Sequence, residues 1–239
     1  MKVTLLGTGD AIGTPKIGCS CPQCSYALTH HLSRLRTSIL VEENGFNLLI
    51  DTSPDLRLQL LQAGSPRIDA VLWTHGHYDH YVGYGEFYRV QKPPAVYAVE
   101  EVLNYCAAYF TFLSFEQHPV IAREAFNLPG LTITFFDVNH PPGSCYGIRV
   151  EANGATLGFT ADTTAHIPPR SMELLRGVDL LVIDALVPPD LHLNKHMNYR
   201  EACDLASILH PKTVRCVHMS HLIPWDMPCT GKDMESFTL

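Results

Sequence analysis

Short strand-like runs are spread along the whole chain, and they constrain its fold more than any other feature of the sequence. Each run is rich in Val, Ile, Leu and Thr and is bounded by turn residues, a pattern typical of buried strands. Two pairs of runs are joined by Asn44-Gly45 and Asn153-Gly154, and this dipeptide supplies the positive φ angles of a tight hairpin. The runs are Lys2–Leu6, Thr37–Glu42, Phe46–Asp51, Ala70–Thr74, Ala95–Ala98, Leu131–Asp137, Tyr146–Glu151, Ala155–Thr160, Leu180–Asp184 and Thr213–Val217.

Helix-like runs lie between many of these strands. They cover Asp55–Ala63, Glu100–Phe110, Pro168–Leu175 and Asn198–Leu209. Asn198 is predicted to cap the last helix, because Glu201 follows three residues later as in a capping box. Strands and helices occur together in both halves of the chain, so we predict an α/β fold with two sheets flanked by helices.

The chain carries no sequence sign of a domain boundary. Its 239 residues contain no Pro/Gly/Ser-rich linker and no repeat of fixed period, so we predict one domain over residues 1–239. The least regular stretch runs from Gly85 to Gly130, and we expect it to be an insertion that shapes a substrate pocket.

Composition excludes some classes of function. Hydrophobic residues make up 46% of the chain, enough for a large core. The net charge of −7 argues against a nucleic-acid-binding surface, which is usually basic. No apolar run approaches the ~20 residues that span a bilayer, and Met1-Lys2 leads into a strand-like run rather than a signal peptide. We therefore expect a cytoplasmic protein with no membrane partner.

Four ligand-capable side chains follow the strand-like run Ala70–Thr74. They lie in the segment His75-Gly76-His77-Tyr78-Asp79-His80, which we expect to be a loop. Imidazole and carboxylate bind zinc, manganese and iron. Residues two apart in an extended segment point the same way, so His75 and His77 can share one ion while Asp79 and His80 face another. A solvated histidine-rich loop is the alternative interpretation, which the dense spacing disfavours.

Further ligand candidates follow later strand-like runs. His140, Asp162 and His218 each stand just beyond the end of such a run. Taken alone, each would be interpreted as an ordinary polar residue. Together they suggest a site at one edge of the sheets, where loops on a rigid scaffold collect functional groups.

A cysteine cluster near the N-terminus indicates a second kind of metal site. Cys19, Cys21 and Cys24 offer three thiolates within six residues, and His221 is a candidate fourth ligand for a structural zinc. The alternatives are a redox pair, such as Cys21 with Cys24, or free thiols. The other five of the eight cysteines are scattered, and we expect them to be small buried apolar residues.

These motifs, in this order, resemble the metallo-β-lactamase superfamily over nearly the whole chain. The resemblance implies a four-layer αβ/βα sandwich with a two-metal site at one edge. It also implies the ligands of each ion: His75, His77 and His140 for one, and Asp79, His80 and His218 for the other. Asp162 would bridge the two ions, and Asp51 would hold the ligand loop in place. The matching segments are Leu6-Gly7-Thr8-Gly9, Asp51, Thr74 to His80, His140, Ala161-Asp162-Thr163 and His218.

Within that superfamily, the cysteine cluster and His218-Met219-Ser220-His221 resemble the PhnP-type phosphodiesterases of the carbon–phosphorus lyase pathway. The resemblance implies a zinc ion at Cys19, Cys21, Cys24 and His221, and a homodimer. It further implies that His196 is the general acid for the departing alkoxide, whereas a capping or surface histidine is the alternative. Asp79 is expected to serve catalysis as well as metal binding.

The predicted function is therefore hydrolysis of a small phosphodiester, including cyclic ones, with two divalent ions of manganese or zinc and one structural zinc. Two ions ~3.5–4 Å apart can activate water and polarise a phosphoryl or carbonyl oxygen. Alternatives are ribonuclease Z-like RNA processing, hydrolysis of a lactone or thioester, and a non-catalytic metal-binding protein. The sequence Asp184-Ala185-Leu186-Val187 lacks the His-Glu-Ala-Thr segment of ribonuclease Z. Glyoxalase II would have a helical C-terminal domain, and we expect none here, because only 18 residues follow His221. Coenzyme PQQ synthesis protein B shares the cysteines but lacks the intact histidine motif.

Overall fold

The computed structural model describes residues 1–141 and 143–239 of the chain. Within these ranges, helices and a 3₁₀ turn at Val82–Phe87 connect thirteen strands in two sheets. The strands are β1 (Lys2–Gly7), β2 (Ser38–Glu43), β3 (Phe46–Ile50), β4 (Ala70–Leu72), β5 (Ala95–Val99), β6 (Gln117–Val120), β7 (Ala125–Leu128), β8 (Leu131–Asp137), β9 (Tyr146–Ala152), β10 (Ala155–Phe159), β11 (Leu180–Asp184), β12 (Thr213–Val217) and β13 (Glu235–Thr238). The helices are α1 (Pro22–His30), α2 (Leu56–Gln62), α3 (Tyr78–Tyr81), α4 (Glu100–Ala107), α5 (Pro169–Leu175) and α6 (Tyr199–Leu209).

The two sheets face each other across the main hydrophobic core. The first has the strand order β13-β1-β2-β3-β4-β5-β6, and the second has the order β12-β11-β10-β9-β8-β7. Fully buried side chains of both sheets form one cluster between them, including Val41, Leu48, Ile148 and Leu157. Helices α2 and α4 pack on the first sheet, and α5 and α6 pack on the second. The fold is thus the predicted four-layer αβ/βα sandwich of the metallo-β-lactamase type.

Parallel pairing determines where the functional residues meet. Strands β3, β4 and β5 run parallel in the first sheet, as do β10, β11 and β12 in the second. The carboxyl ends of parallel strands lie along one edge of a sheet, and ligands bind at that edge in open α/β folds. The segments that follow β4, β10 and β12 carry most of the candidate ligands, and the segment after β3 carries Asp51. The remaining ligand candidate, His140, follows the antiparallel strand β8.

Most predicted elements are present within a few residues of their expected bounds. The capping box of Asn198 and Glu201 begins α6, and both Asn-Gly hairpins have positive φ at Asn44 and Asn153. The helix expected over Glu100–Phe110 ends earlier, at Ala107. Among the described residues, no helix has the length and apolarity needed to span a bilayer.

The stretch from Gly85 to Gly130 differs from its prediction. Instead of an irregular insertion it contains β5, α4, β6 and β7, which complete both sheets. Strand β6 was missed because its sequence, Gln117 to Val120, includes a proline and polar residues, as edge strands tolerate. The stretch was also expected to shape a substrate pocket, and its helix α4 lines the cavity described below.

Candidate metal centre

Five side chains converge where parallel strands end. Asp51 follows β3, His75 follows β4, Asp162 follows β10 and His218 follows β12, while Asp184 is the last residue of β11. All five are buried. Adjacent parallel strands therefore deliver imidazoles and carboxylates to one place from both sheets.

The backbone is unusual at three of these strand ends. Asp51, Ala161 and His218 all have positive φ, at 60°, 51° and 56°, although none is glycine. This left-handed conformation costs on the order of 1 kcal/mol or more for a residue with a Cβ atom. Such strain is found where the surrounding structure fixes a side chain in place, and here it turns the chain at the edge of the candidate site.

One group of potential ligands contains His75, His77, His140 and Asp162, whose ligand atoms all lie within 4.8 Å of one another. His140 Nε2 is 3.1 Å from His77 Nδ1, and His75 Nε2 is 3.6 Å from Asp162 Oδ2. Three nitrogens and one carboxylate oxygen at these separations can surround a single divalent ion.

A second group contains Asp79, His80 and His218. Asp79 Oδ2 lies 3.2 Å from His80 Nε2 and 3.4 Å from His218 Nε2. The expected loop is here a helical turn, α3, which begins directly after His77. This turn rotates Asp79 and His80 away from the extended pair before them, so the two halves of the motif face different groups.

Asp162 belongs to both groups. Its Oδ2 atom lies 3.6 Å from His75 Nε2 and 3.3 Å from His218 Nε2, and its Oδ1 atom lies 3.5 Å from His80 Nε2. A carboxylate between two sets of imidazoles has the position that a bridge between two ions requires. The structure thus brings together all seven residues predicted as ligands.

The chemistry of these donors fits divalent cations. His75 Nε2 and His80 Nε2 are buried and lack a hydrogen-bond partner, which is costly unless another group satisfies them. Burial, with His80 close by, keeps the pKa of His75 well below its usual range, so its imidazole is neutral as a ligand must be. Burial opposes the charge on Asp162, but the neighbouring His218 and His80 hold its pKa well below the ordinary value.

The carboxylates of the second group favour positive charge on the neighbouring imidazoles. Burial lowers the pKa of His218, yet Asp162 and then Asp79 raise it to about 9 overall. The pKa of His80 is raised well above its usual range by Asp162, Asp79 and Asp51, which outweigh its burial. A cation bound by the carboxylates would displace these protons, which is the usual coupling between metal binding and proton release.

Asp51 fixes the orientation of His80 in the histidine motif. It is completely buried, and its Oδ2 atom lies 2.7 Å from His80 Nδ1. It also accepts hydrogen bonds from the backbone N–H and the hydroxyl of Thr74. Because His80 Nδ1–H donates to this carboxylate, Nε2 is the nitrogen directed at Asp79 and Asp162.

His196 lies beside the two groups, on a loop before α6. Its ring stacks on His218 at 5.1 Å between centroids and contacts His140 at 4.6 Å. Its Nδ1 lies 2.9 Å from Asp184 Oδ2, so the carboxylate orients the ring. The side chain is 13% exposed, and Asn198 caps α6, so the surface and capping interpretations of His196 do not hold.

Asp184 is a residue that the sequence analysis missed as a functional candidate. Besides His196, it accepts a hydrogen bond from the backbone N–H of Thr163, and its Oδ1 lies 3.7 Å from His218 Nδ1. It therefore contacts both the candidate acid and a candidate ligand. Its signal was available, because it ends a strand-like run just as Asp51 does.

A cavity of about 370 Å³ opens onto the first ligand group. Its floor includes His75, His77 and His140, and its wall includes Glu101 and Tyr105 of α4. Cavities of this size suit small-molecule ligands. The wall residues carried no motif in the sequence, and only the packing of α4 brings them to the site.

The cysteine cluster forms a separate site. The Sγ atoms of Cys19, Cys21 and Cys24 lie 3.7, 3.4 and 3.6 Å from His221 Nδ1. Zinc bonds of ~2.3 Å to sulfur and ~2.0–2.1 Å to nitrogen, arranged tetrahedrally, place sulfur and nitrogen about 3.6 Å apart. The four donors therefore have the spacing of a Cys₃His zinc site before any ion is added.

Backbone groups support thiolates in this cluster. Cys21 is the N-cap of α1, and its sulfur accepts from the backbone N–H of Cys24, which with His221 lowers the pKa of Cys21 to about 6. Burial instead raises the pKa of Cys24 to about 11. The structure holds all three as free thiols and thus contains no Cys21–Cys24 redox bridge.

Comparison with known proteins identifies the family. Residues 46–219 match the model of the β-lactamase superfamily domain, which covers more than half of the chain. Among solved structures, a diphosphatase from the PhnP family has a TM-score of 0.89 and 31% sequence identity, over 100% of this chain and 97% of that one. Zinc-bound PqqB from Methylobacterium extorquens has a TM-score of 0.86 at 23% identity, which indicates a shared fold.

Among curated proteins, an octanoyltransferase from Porphyromonas gingivalis is 32% identical over 234 residues. The match covers 94% of this chain and 47% of that protein, so the chain spans about half of its relative's length. Coenzyme PQQ synthesis protein B from Methylobacterium radiotolerans is 29% identical, over 80% of this chain and 74% of that protein.

Proposed function

The chain belongs to the β-lactamase superfamily, and from that premise we propose that it is a phosphodiesterase that uses two divalent ions. The superfamily fold is that of metal-dependent hydrolases, and the structural relative at 31% identity is a diphosphatase. The observation that carries the proposal is the carboxylate of Asp162, which lies within 3.3–3.6 Å of imidazoles from both ligand groups.

The ligands would be divided as the two groups divide. His75, His77 and His140 would hold one ion, Asp79, His80 and His218 the other, and Asp162 both. When bound, such ions supply an activated water and stabilise charge on a phosphoryl oxygen. Ser144 lines the cavity and hydrogen-bonds Glu101, but neither residue belongs to the ligand groups, so direct attack by water at those groups is the reaction that fits the described residues best.

His196 would supply the proton that the leaving alkoxide needs. Its Nδ1–H donates to Asp184, which fixes the ring and directs Nε2 towards the ligand groups. A carboxylate behind an imidazole fixes the tautomer and the orientation of the ring, which a general acid requires. The stacking on His218 keeps the ring within reach of a substrate bound at the centre.

A structural zinc at the cysteine cluster completes the proposed set of ions. The site links α1, near the N-terminus, to the segment that follows His218. Because His221 lies three residues after the candidate ligand His218, the zinc would connect the N-terminal segment to the metal centre. All four donors are used within the cluster, so this ion would have no open position for chemistry.

The test is hydrolysis by the purified, manganese-loaded protein. Bis(p-nitrophenyl) phosphate and 2′,3′-cyclic nucleotides are the substrates, and p-nitrophenyl butyrate tests the alternative of ester hydrolysis. We expect turnover of the diesters that falls at least a hundredfold in His77→Ala. His166→Ala changes an exposed histidine outside the ligand groups and should leave turnover unchanged. Diester turnover no higher than that of His77→Ala would reject the proposal.

A further inference from the structure

Three cysteines outside the zinc cluster line a second cavity. Cys203 of α6, Cys216 of β12 and Cys229 of the segment before β13 meet around a space of about 340 Å³. The scattered cysteines are expected from the sequence to be small buried apolar residues, but Cys203 is half-buried and Cys229 is exposed. Apolar packing therefore does not explain why thiols from three separate segments face the same cavity.

Cys203 and Cys216 have side chains in hydrogen-bond contact. This hydrogen bond, and then one from Tyr199, outweigh burial and lower the pKa of Cys203 to about 6. A cysteine with such a pKa is largely thiolate at neutral pH, and the thiolate is the form that attacks oxidants. Because Cys216 is only 1% exposed, Cys203 is the sulfur of this pair that a small reagent reaches from the cavity.

The positions of the sulfurs favour oxidation over metal binding. Among the described residues, the groups whose ligand atoms all lie within 4.8 Å of one another belong to the zinc cluster and the metal centre, and the three cavity cysteines do not form such a group. A disulfide needs only two sulfurs, and Cys203 and Cys216 already touch. Cys229 is the competing partner, because its carbonyl accepts from the backbone N–H of Cys216 at 2.8 Å.

We propose that Cys203 and Cys216 form a peroxide-oxidisable dithiol, in which Cys203 is the reacting thiol and Cys216 the resolving one. The oxidant is hydrogen peroxide or another small peroxide. A larger oxidant such as glutathione disulfide carries carboxylates, and among the described residues that line this cavity there is no lysine or arginine to bind them. The proposal uses none of the candidate metal ligands and does not rest on the phosphodiesterase function.

The reaction balances with one molecule of peroxide. The Cys203 thiolate attacks one peroxide oxygen, so an S–O bond forms, the O–O bond breaks, and the departing hydroxide takes up a proton to become water. The sulfur is thereby oxidised to a sulfenic acid and the peroxide is reduced. The sulfur of Cys216 then attacks the sulfenic sulfur, the S–S bond forms, and the hydroxyl leaves with the Cys216 proton as a second water.

The bond would join two elements that carry residues of the metal centre. Helix α6 begins three residues after His196, and β12 ends one residue before His218. The rings of these two histidines stack at 5.1 Å between centroids. Oxidation would therefore add a covalent link beside the candidate acid and a candidate ligand while leaving all ligand atoms free.

The test treats the zinc-loaded protein with stoichiometric hydrogen peroxide. Remaining thiols are alkylated in urea, and tryptic peptides are identified by mass spectrometry without reduction. Trypsin releases Cys203 in residues 201–212, whereas residues 216–232 carry both Cys216 and Cys229. We expect these two peptides to be linked, with Cys229 alkylated, and dithiothreitol to separate them. In Cys229→Ser, the matched control, the same two peptides should still be linked.

Two variants separate the roles of the thiols. Cys216→Ser removes the resolving thiol, so Cys203 should accumulate as the sulfenic acid and take up dimedone. Cys203→Ser removes the reacting thiol, so no link should form and Cys216 should be alkylated as fully as without peroxide. Should Cys216→Ser fail to fold, wild type oxidised in the presence of dimedone gives the same readout, with the adduct expected on Cys203.

Several results would overturn the proposal. One is a wild type that forms no link under these conditions. Another is a link from Cys203 to Cys229, or a dimedone adduct on Cys229 in place of Cys203. Metal analysis supplies the last, because one zinc fewer per chain in Cys203→Ser would mean that these cysteines bind a metal ion.

Discussion

The cysteine cluster and the histidine–aspartate centre are both groups of metal-ligand side chains, but their geometry differs. In the cysteine cluster three sulfurs surround one nitrogen at 3.4–3.7 Å, which is already the edge length of a tetrahedron. In the other centre, distances from Asp162 to four imidazoles range from 3.3 to 3.9 Å, and a cavity opens on one side. One site is closed and the other is open.

This difference distinguishes a structural metal site from a site that can support catalysis. A zinc site with four protein ligands has no position for water or substrate, whereas catalytic sites keep one open. The groups that support the ligands also differ between the two sites. Backbone N–H groups support the thiolates, while carboxylates such as Asp51 and Asp184 orient the imidazoles. The comparison therefore predicts opposite responses when each site is damaged.

Loss of Asp162 should have the largest effect on activity. Because its carboxylate serves both ligand groups, Asp162→Ala should lower kcat/KM for bis(p-nitrophenyl) phosphate by about a thousandfold or more. Metal analysis should find about one ion left per chain, held by the cysteine cluster. Asp137→Ala, which removes an exposed carboxylate beside Arg123, is the control. An unchanged metal content in Asp162→Ala would contradict a shared bridge.

Asp184→Asn should affect activity next, and in a way that depends on the leaving group. An amide in place of the carboxylate no longer fixes the orientation and tautomer of His196, so hydrolysis of 2′,3′-cyclic nucleotides should fall by about a hundredfold. Bis(p-nitrophenyl) phosphate should fall much less, because p-nitrophenolate departs without a proton. His196→Ala should show the same contrast.

The alternative for Asp184 is support of the metal ligand His218. Its Oδ1 lies 3.7 Å from His218 Nδ1, so a structural effect on that ligand would lower the metal content. Equal losses on both substrates, together with missing metal, would therefore reject the role of Asp184 in positioning the acid. Metal analysis on the same sample distinguishes the two outcomes.

Damage to the closed site should affect stability more than activity. Cys21→Ala removes one of four ligands, and we expect one zinc fewer per chain and a loss of about 2–3 kcal/mol, equivalent to a fall in Tm of about 5–10 °C. Activity per folded molecule should remain within threefold. Cys229→Ala changes an exposed cysteine outside the cluster and should alter neither quantity. An unchanged zinc count in Cys21→Ala would exclude the site.

The sequence was sufficient for parts of both sites that depend on local spacing. Strand ends marked His75, Asp162 and His218, because a side chain just beyond a strand lies at the edge of its sheet. The role of Asp51 followed from the family resemblance. Asp184 obeyed the same rule but was read only as the end of a strand. What local spacing could not supply was the helical turn α3, which divides the histidine motif between the two groups.

Residues brought in by packing left no local signal. Glu101 and Tyr105 belong to an ordinary helix, and the packing of α4, in which Tyr105 approaches Gly76 and Glu101 accepts from Tyr146, makes them part of the cavity. Strand β13 was missed because Glu235 to Thr238 is short and half exposed at the edge of the first sheet. Long-range contacts of this kind depend on the folded chain, so no window of the sequence encodes them.

The smallest predicted effect concerns contacts near the cysteine cluster that do not involve the metal ligands. Trp225 Nε1 donates to the carbonyl of Gln23, and the buried guanidinium of Arg34 lies 4.2 Å above the Trp225 ring. Arg34 also donates to the carbonyls of Ile223 and Pro224. These bonds and the zinc ligands join the same two segments of the chain, so they should reinforce each other.

Trp225→Phe keeps an aromatic ring and loses the N–H donor, which should cost about 1 kcal/mol, or about 2–4 °C in Tm. Zinc content should stay the same. In Cys21→Ala, where the metal link is absent, the same substitution should cost more, because the segment then depends on its remaining contacts. Thermal unfolding of the two single variants and the double variant measures this coupling. Strictly additive losses would mean that the zinc site and the Trp225 contact stabilise the chain independently.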